Sequence, residues 1–215
     1  KKIIGKFINI KEKVLRNFLI PKKQVIYTDE VMDKNRFIAH AGGEIDGFRY
    51  TNSLEALNNS YQNGLRLFEL DIIKTSDGHF VAAHDWTNWK SQVNYPDKDN
   101  QPVSLNEFMN YKIQNKFTPI SMNEINSWFS KHTDAILVTD KVNSPIEFSK
   151  LFVDKKRLMM ELFSVEAVKE GIEAQILESI PTGALWGKIK NNNEILKNIR
   201  FIAVGRKISV STVRE

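Results

Sequence analysis

Leu67-Phe68-Glu69-Leu70-Asp71-Ile72-Ile73 is the stretch on which the fold and the chemistry both turn. It reads as a strand, and residues two apart on a strand share a face, so Glu69 and Asp71 project together while Leu70 points away. Two like carboxylates side by side are unfavourable unless something positive lies between them. A divalent cation is the economical explanation, and oxygen ligands favour Mg²⁺ or Ca²⁺. The plain alternative is a solvated or salt-bridged strand end.

Working outward, strands and helices alternate. Upstream, the short apolar run Phe37-Ile38-Ala39-His40 is a strand stopped by Gly42-Gly43. Residues 53–63 place Leu54, Leu57 and Tyr61 on one helical face, with Gly64 as the stop. Downstream, Ser76-Asp77-Gly78 is a hairpin turn before a strand at His79–Ala83. Residues 86–102 read as an irregular loop. Ser121 and Glu124 form a capping box that opens a helix to about Lys131. Strands follow at Ala135–Val142, Leu158–Leu162, weakly at Gln175–Ile180, and at Phe201–Val204, with Lys207–Val213 alternating enough for one more. Between them lie helices beginning at Ser144-Pro145, at Val165–Ile172 and at Asn193–Asn198. This rhythm predicts βαβ units and a parallel sheet, either doubly wound or closed as a (β/α)8 barrel.

The chain has 215 residues and no cysteine. That excludes a disulfide scaffold, a thiolate zinc site and a cysteine nucleophile, and it leaves both a reducing cytosol and an exported location open. The net charge of +5 is local. Residues 1–23 hold eight basic side chains and one acid, whereas the rest hold 23 basic and 25 acidic ones. The body is therefore not basic, which argues against a nucleic-acid partner. Phe7, Ile10, Val14, Leu15 and Phe18 recur at helical spacing among those lysines. A basic amphipathic helix ending at Pro21 is predicted, either docked on the domain or lying on an anionic membrane surface. No apolar run is long enough for a membrane span, and no signal peptide is apparent. The expected division is residues 1–36 as basic helix and linker, and residues 37–215 as one domain.

Four polar side chains sit where apolar strands end: His40, Glu69, Asp71 and His84. Sites in α/β folds form at strand ends. Two imidazoles flanking a metal site suit paired general acid and base work near neutral pH. Either histidine alone reads equally as a structural one.

The ordered set His40-Ala41-Gly42-Gly43, Thr51-Asn52-Ser53, Phe68-Glu69-Leu70-Asp71, Thr75-Ser76-Asp77-Gly78 and Ala83-His84-Asp85 resembles the glycerophosphodiester phosphodiesterase family. That family lies within the phosphatidylinositol-phospholipase-C-like superfamily. The likeness is dense over residues 37–86 and extends more loosely through Thr118-Pro119-Ile120-Ser121 to about Lys141. It implies a (β/α)8 TIM-type barrel, which the strand count leaves short of its last strand. It implies a divalent metal on Glu69 and Asp71, and His40 and His84 as the catalytic acid–base pair acting on a small-molecule phosphodiester. Asn52 stands in the family's Asn position, to orient a site group or to cap the helix after it.

Three departures stand out. Ala41 and Thr51 replace the family's Arg and Glu. On the third strand, Asp140 and Lys141 are adjacent where the family separates its acid and Lys by one residue. Asp140 is taken as the third metal ligand and Glu161 as the reserve; Lys141 and Trp86 join Asn52 as candidate substrate contacts. Lys90 and Lys98 are further candidates for an anionic substrate. Two other readings remain: a barrel that binds phosphodiesters or polyol phosphates without cleaving them, and a glycosidase using Glu69 and Asp71.

Overall fold

The computed structural model describes residues 37–204. The expected N-terminal helix, its membrane contact and the last alternating segment lie outside the described residues. Six strands form the sheet: β1 (Ile38–Ala39), β2 (Leu67–Lys74), β3 (Phe80–Ala82), β4 (Ile136–Asp140), β5 (Leu158–Leu162) and β6 (Glu178–Pro181). Five run parallel in the order β1-β2-β4-β5-β6, and β3 folds back antiparallel on the end of β2. A parallel bridge between Thr182 and Ala203 continues the arc past β6. That bridge is what stands at the strand expected over residues 201–204. The architecture is a TIM-type (β/α) barrel whose parallel strands, among the described residues, form an open arc.

Strand alternation sorts the side chains into two layers. Phe68, Leu70, Leu137, Leu158, Met160 and Leu162 pack outward against helical residues such as Leu57, Trp128, Phe129, Phe148 and Val168. Leu67, Ile136, Val138, Met159, Ile180 and Phe201 fill the inner face. The outer layer is supplied by α1 (Leu54–Gln62), α4 (Met122–Lys131), α5 (Pro145–Leu151), α6 (Val165–Glu173), α7 (Trp186–Ile189) and α8 (Asn193–Asn198). Their starts obey local rules. Ser121 accepts from a backbone N–H while Glu124 reaches back to the Ser121 N–H at 2.9 Å, closing the expected capping box. Pro145 opens α5 at its first position.

Residues 86–102 are not uniformly irregular. Helices α2 (Trp86–Gln92) and α3 (Leu105–Asn110) lie between β3 and α4. The Asp85 carboxylate accepts the Asn88 N–H at 2.7 Å and starts α2. Trp86, Trp89 and Val93, spaced three and four apart, then pack with Phe108, Ile113 and Phe117 in a second core. The polar residues between the tryptophans hide that spacing in the sequence.

Candidate active site

Glu69 and Asp71 lie in the middle of β2 on the inner face, and Asp71 stands in register with Asp140 at the end of β4. One carboxylate oxygen from each of Glu69, Asp71 and Asp140 falls within 4.8 Å of the other two. Glu69 and Asp71 are buried, at 6 % and 1 % exposure. At that spacing two charges repel by about 3–4 kcal/mol, taking an effective dielectric near 20. Burial pushes the Glu69 carboxyl well above its ordinary range, and the charges of Asp71, Asp140 and Glu161 push it further against a stabilising bond from the Ala41 N–H.

Two short loops hold the acids. His40-Ala41-Gly42 forms a tight turn with Ala41 at φ 50°, which aims the Ala41 N–H at Glu69 Oε2, 2.7 Å away. Gly43 follows at φ 106°, and a Cβ there would sit 2.0 Å from Ser60 Oγ, so the turn requires glycine. Asn52, also left-handed at φ 47°, clamps Asp71 from two sides. Its Nδ2 donates to Asp71 Oδ2 at 3.0 Å and its Oδ1 accepts the Asp71 N–H at 3.1 Å. The helix cap belongs to Ser53, whose hydroxyl accepts the Ala56 N–H. Thr51, buried, hydrogen-bonds its hydroxyl to that of Ser53 at 2.9 Å.

With those bonds made, Glu69 Oε1 and Asp71 Oδ1 remain buried without a hydrogen-bond partner. A buried unsatisfied carboxylate oxygen costs roughly 1–3 kcal/mol or more. Three carboxylates converging on unsatisfied oxygens fit a hard divalent cation, which takes oxygen ligands.

Lys141 resolves the question posed by adjacent acid and Lys. Its φ of 70° turns the chain immediately after Asp140. Both side chains therefore stay at the site, with Lys141 Nζ 3.3 Å from Asp140 Oδ2. Thr139 lies buried on the opposite face. Burial pulls the Lys141 ammonium down, but the charges of Asp140, Asp71 and Glu69 outweigh it and raise it overall. Glu161, on β5 beside Asp140, is pushed up to about 7, first by burial and then by the Asp140 charge, with Lys141 opposing.

His40 borders this cluster, and His84 comes two residues after β3, the strand that pairs with the end of β2. His40 Nε2 lies 3.7 Å from Glu69 Oε2, and its side chain is 45 % exposed. The Ala83 N–H bonds the Asp71 carbonyl oxygen at 2.9 Å, which seats His84 at the same end of β2. His84 Nδ1 is 2.6 Å from Asp85 Oδ2. Burial raises the Asp85 carboxyl, but the Asn88 N–H, His84 and Lys141 outweigh it and hold it below its ordinary range. Asp85 was legible in the sequence only as part of a motif; its place beside a histidine was the signal for a partner.

The aromatic and lysine candidates lie elsewhere. The Trp86 ring packs edge-on to Trp89 and Phe108, buried in the second core. Lys90 is buried and ion-paired with Asp99, and Lys98 Nζ donates to the Lys90 carbonyl at 2.9 Å. Both lysines tie the 93–104 segment to α2. Glu69 and Asp71 stand closer than the roughly 5–9.5 Å that separates glycosidase carboxyls.

The parallel strands of this TIM-type barrel thus carry on their inner face a carboxylate cluster, bordered by His40, that reaches the C-terminal end of β4. The model of the glycerophosphoryl diester phosphodiesterase family matches residues 41–169, and the chain belongs to that family. No curated protein sequence matches. Among solved structures, a glycerophosphoryl diester phosphodiesterase from Parabacteroides distasonis superposes with a TM-score of 0.56 at 15 % identity, over 78 % of this chain and 64 % of that one. A second from the same organism gives 0.51 at 20 % identity, over 67 % and 63 %. A phosphodiesterase from Oleispira antarctica, solved with the product sn-glycerol-3-phosphate, gives 0.50 at 15 % identity, over 71 % and 69 %. The chain thus spans a little under two thirds of the length of the first two.

Proposed function

We propose that this chain hydrolyses a glycerophosphodiester with the help of a divalent cation. The observation that carries the reading is the trio Glu69, Asp71 and Asp140, with buried oxygens Glu69 Oε1 and Asp71 Oδ1 unsatisfied. Glu69, Asp71 and Asp140 would hold the ion, Mg²⁺ or Ca²⁺. When bound, it supplies positive charge against the phosphoryl oxygens. Asn52 fixes the Asp71 carboxylate, and the Ala41 N–H fixes that of Glu69.

His40 and His84 divide the proton work. One takes the proton of the substrate hydroxyl that attacks phosphorus, the other protonates the leaving alkoxide, and a water molecule then opens the resulting cyclic phosphate to the monoester with the two proton roles reversed. Asp85 accepts from His84 Nδ1, which leaves Nε2 to face the reacting oxygen and stabilises the imidazolium. Lys141, whose Nζ lies 3.3 Å from Asp140, would be within reach of a phosphate oxygen held at the acid cluster. The Oleispira antarctica relative, solved with the product sn-glycerol-3-phosphate, supports a small phosphate ester as the ligand class. Residues 37–215 are proposed as the phosphodiesterase domain.

His40→Ala and His84→Ala test the reading. Each is expected to lower turnover of glycerophosphocholine or glycerophosphoglycerol by about 10²–10⁴-fold with Mg²⁺ binding retained. A variant with near-wild-type turnover removes that histidine from the mechanism. Tight binding by the wild type without any product would instead identify a non-cleaving diester receptor.

A further inference from the structure

We infer that Tyr50 is a positioning residue for His40, and that through it the helical insert α2 and α3 is wired to the site. The inference rests on the proposed role of His40. Tyr50 lies in the loop between the His40 turn and Asn52, and its ring meets the His40 imidazole edge-to-face, with centroids 5.0 Å apart at 90°. With Glu69 Oε2 at 3.7 Å, the imidazole is held between a carboxylate and an aromatic wall. Such aromatic pairs prefer this T-shaped geometry.

The backbone of Tyr50 is as specific as its ring. Its φ of 61° is left-handed, an outlier for a bulky side chain. Such a conformation persists only where the surroundings over-determine it, and it clusters at functional sites. Three anchors do so here. The Gln92 side-chain amide, at the end of α2, donates to the Tyr50 carbonyl oxygen at 3.0 Å. The Asn52 N–H bonds the Ala41 carbonyl oxygen at 3.1 Å, closing the loop onto the His40 turn. Ile45 and Phe48 exchange backbone bonds at 3.0 and 2.8 Å, which fixes the loop's outward arm. The connection therefore runs from α2 through Gln92 to Tyr50 and on to the His40 ring.

A general acid or base must sit within hydrogen-bond reach of the proton it moves, and a displacement near 1 Å costs up to about a hundredfold in rate. The exposed side of His40 gives its ring room to leave that position once the wall is gone. Tyr50→Gly removes the ring while suiting the left-handed backbone, so the fold is expected to survive it. Tyr50→Phe keeps the ring.

The test combines kinetics on a glycerophosphodiester with NMR side-chain couplings that report the His40 χ1 rotamer. In Tyr50→Gly, kcat is expected to fall ten- to a hundredfold, with KM and Mg²⁺ affinity within about twofold and the His40 couplings averaged over rotamers. Tyr50→Phe restores a single rotamer and most of the rate, and Gln92→Ala falls between them. A single His40 rotamer in Tyr50→Gly, or an unchanged kcat, overturns the inference. Should His40→Ala keep full activity, the proposed role of His40 fails, while the couplings still read out whether Tyr50 orders the ring.

Discussion

Glu69 is where the fold tolerates the most unfavourable chemistry. Its folded-state acidity is weakened by burial first and by Asp71 next. A carboxyl with a raised folded-state pKa costs nothing below the ordinary carboxylate range, where it is protonated folded or unfolded. Its cost grows as pH rises through and beyond that range. The ion-free protein should therefore lose stability between about pH 5 and pH 7, with Glu161, pushed up to about 7, acting in the same sense. Glu69→Gln should flatten that slope and raise the ion-free Tm at pH 7 by a few degrees. With millimolar Mg²⁺ the order should reverse, because only the wild type gains from binding. Thermal melts at both pH values, with and without Mg²⁺, check the sign. Asn52→Ala should cut Mg²⁺ affinity about 10–100-fold although Asn52 is no ligand, because the clamp on Asp71 is gone; calorimetric titration reads this. At this scale the Glu69–Asp71 pair was legible from a two-residue spacing alone. Lys141 was named as a candidate, but how it shares the site with the adjacent Asp140 was not legible, because alternation holds only while the strand continues, and the left-handed turn at Lys141 ends it. The bond between Asn52 and Asp71 spans 19 residues and leaves no local trace beyond the motif order.

The elements follow the same logic of what a local pattern can and cannot carry. Strands β2, β4 and β5 are rich in apolar residues, and their bounds come within two residues of those read from the sequence at each end. Helix α4 announces itself through its capping box. Helix α2 does not, since its cap residue Asp85 is also the partner of His84, and its tryptophans serve a core that exists only once α3 and residues 113–117 fold back. The strand near residue 203 shrinks to a bridge with Thr182. Trp89 is nearly fully buried at 1 % exposure, stacked on Phe108 with centroids 5.0 Å apart. Trp89→Ala is expected to cost about 3–5 kcal/mol in denaturant unfolding. It should leave Mg²⁺ affinity near wild type, because the acids are held by β2, β4 and the two loops rather than by the second core. A large loss of ion affinity in a folded Trp89→Ala protein would show that the insert shapes the acid cluster as well as the His40 wall.

For the whole molecule, parallel strands send every C-terminal end the same way, so Glu69, Asp71, Asp140 and Glu161 gather at one mouth of the arc. At the opposite end of the arc, Glu178, the first residue of β6, is buried and accepts from the Arg200 guanidinium at 2.5 Å. The fold class was legible because the βα rhythm repeats along the chain. The closure of the barrel was not, since strand pairing across a barrel is set by the ring of elements and not by any one of them. The basic excess of residues 1–23 lies outside the described residues, and among those described no helix is long and apolar enough to cross a membrane. The proposed function requires that a glycerophosphodiester be cleaved only while the carboxylates hold a cation. The direct measurement is the rate of phosphomonoester release from a glycerophosphodiester in Mg²⁺, then with excess chelator, then with Mg²⁺ restored. The expected result is repeated turnover, its loss to background on chelation, and its full return. Turnover that continues unchanged in chelator would contradict the account.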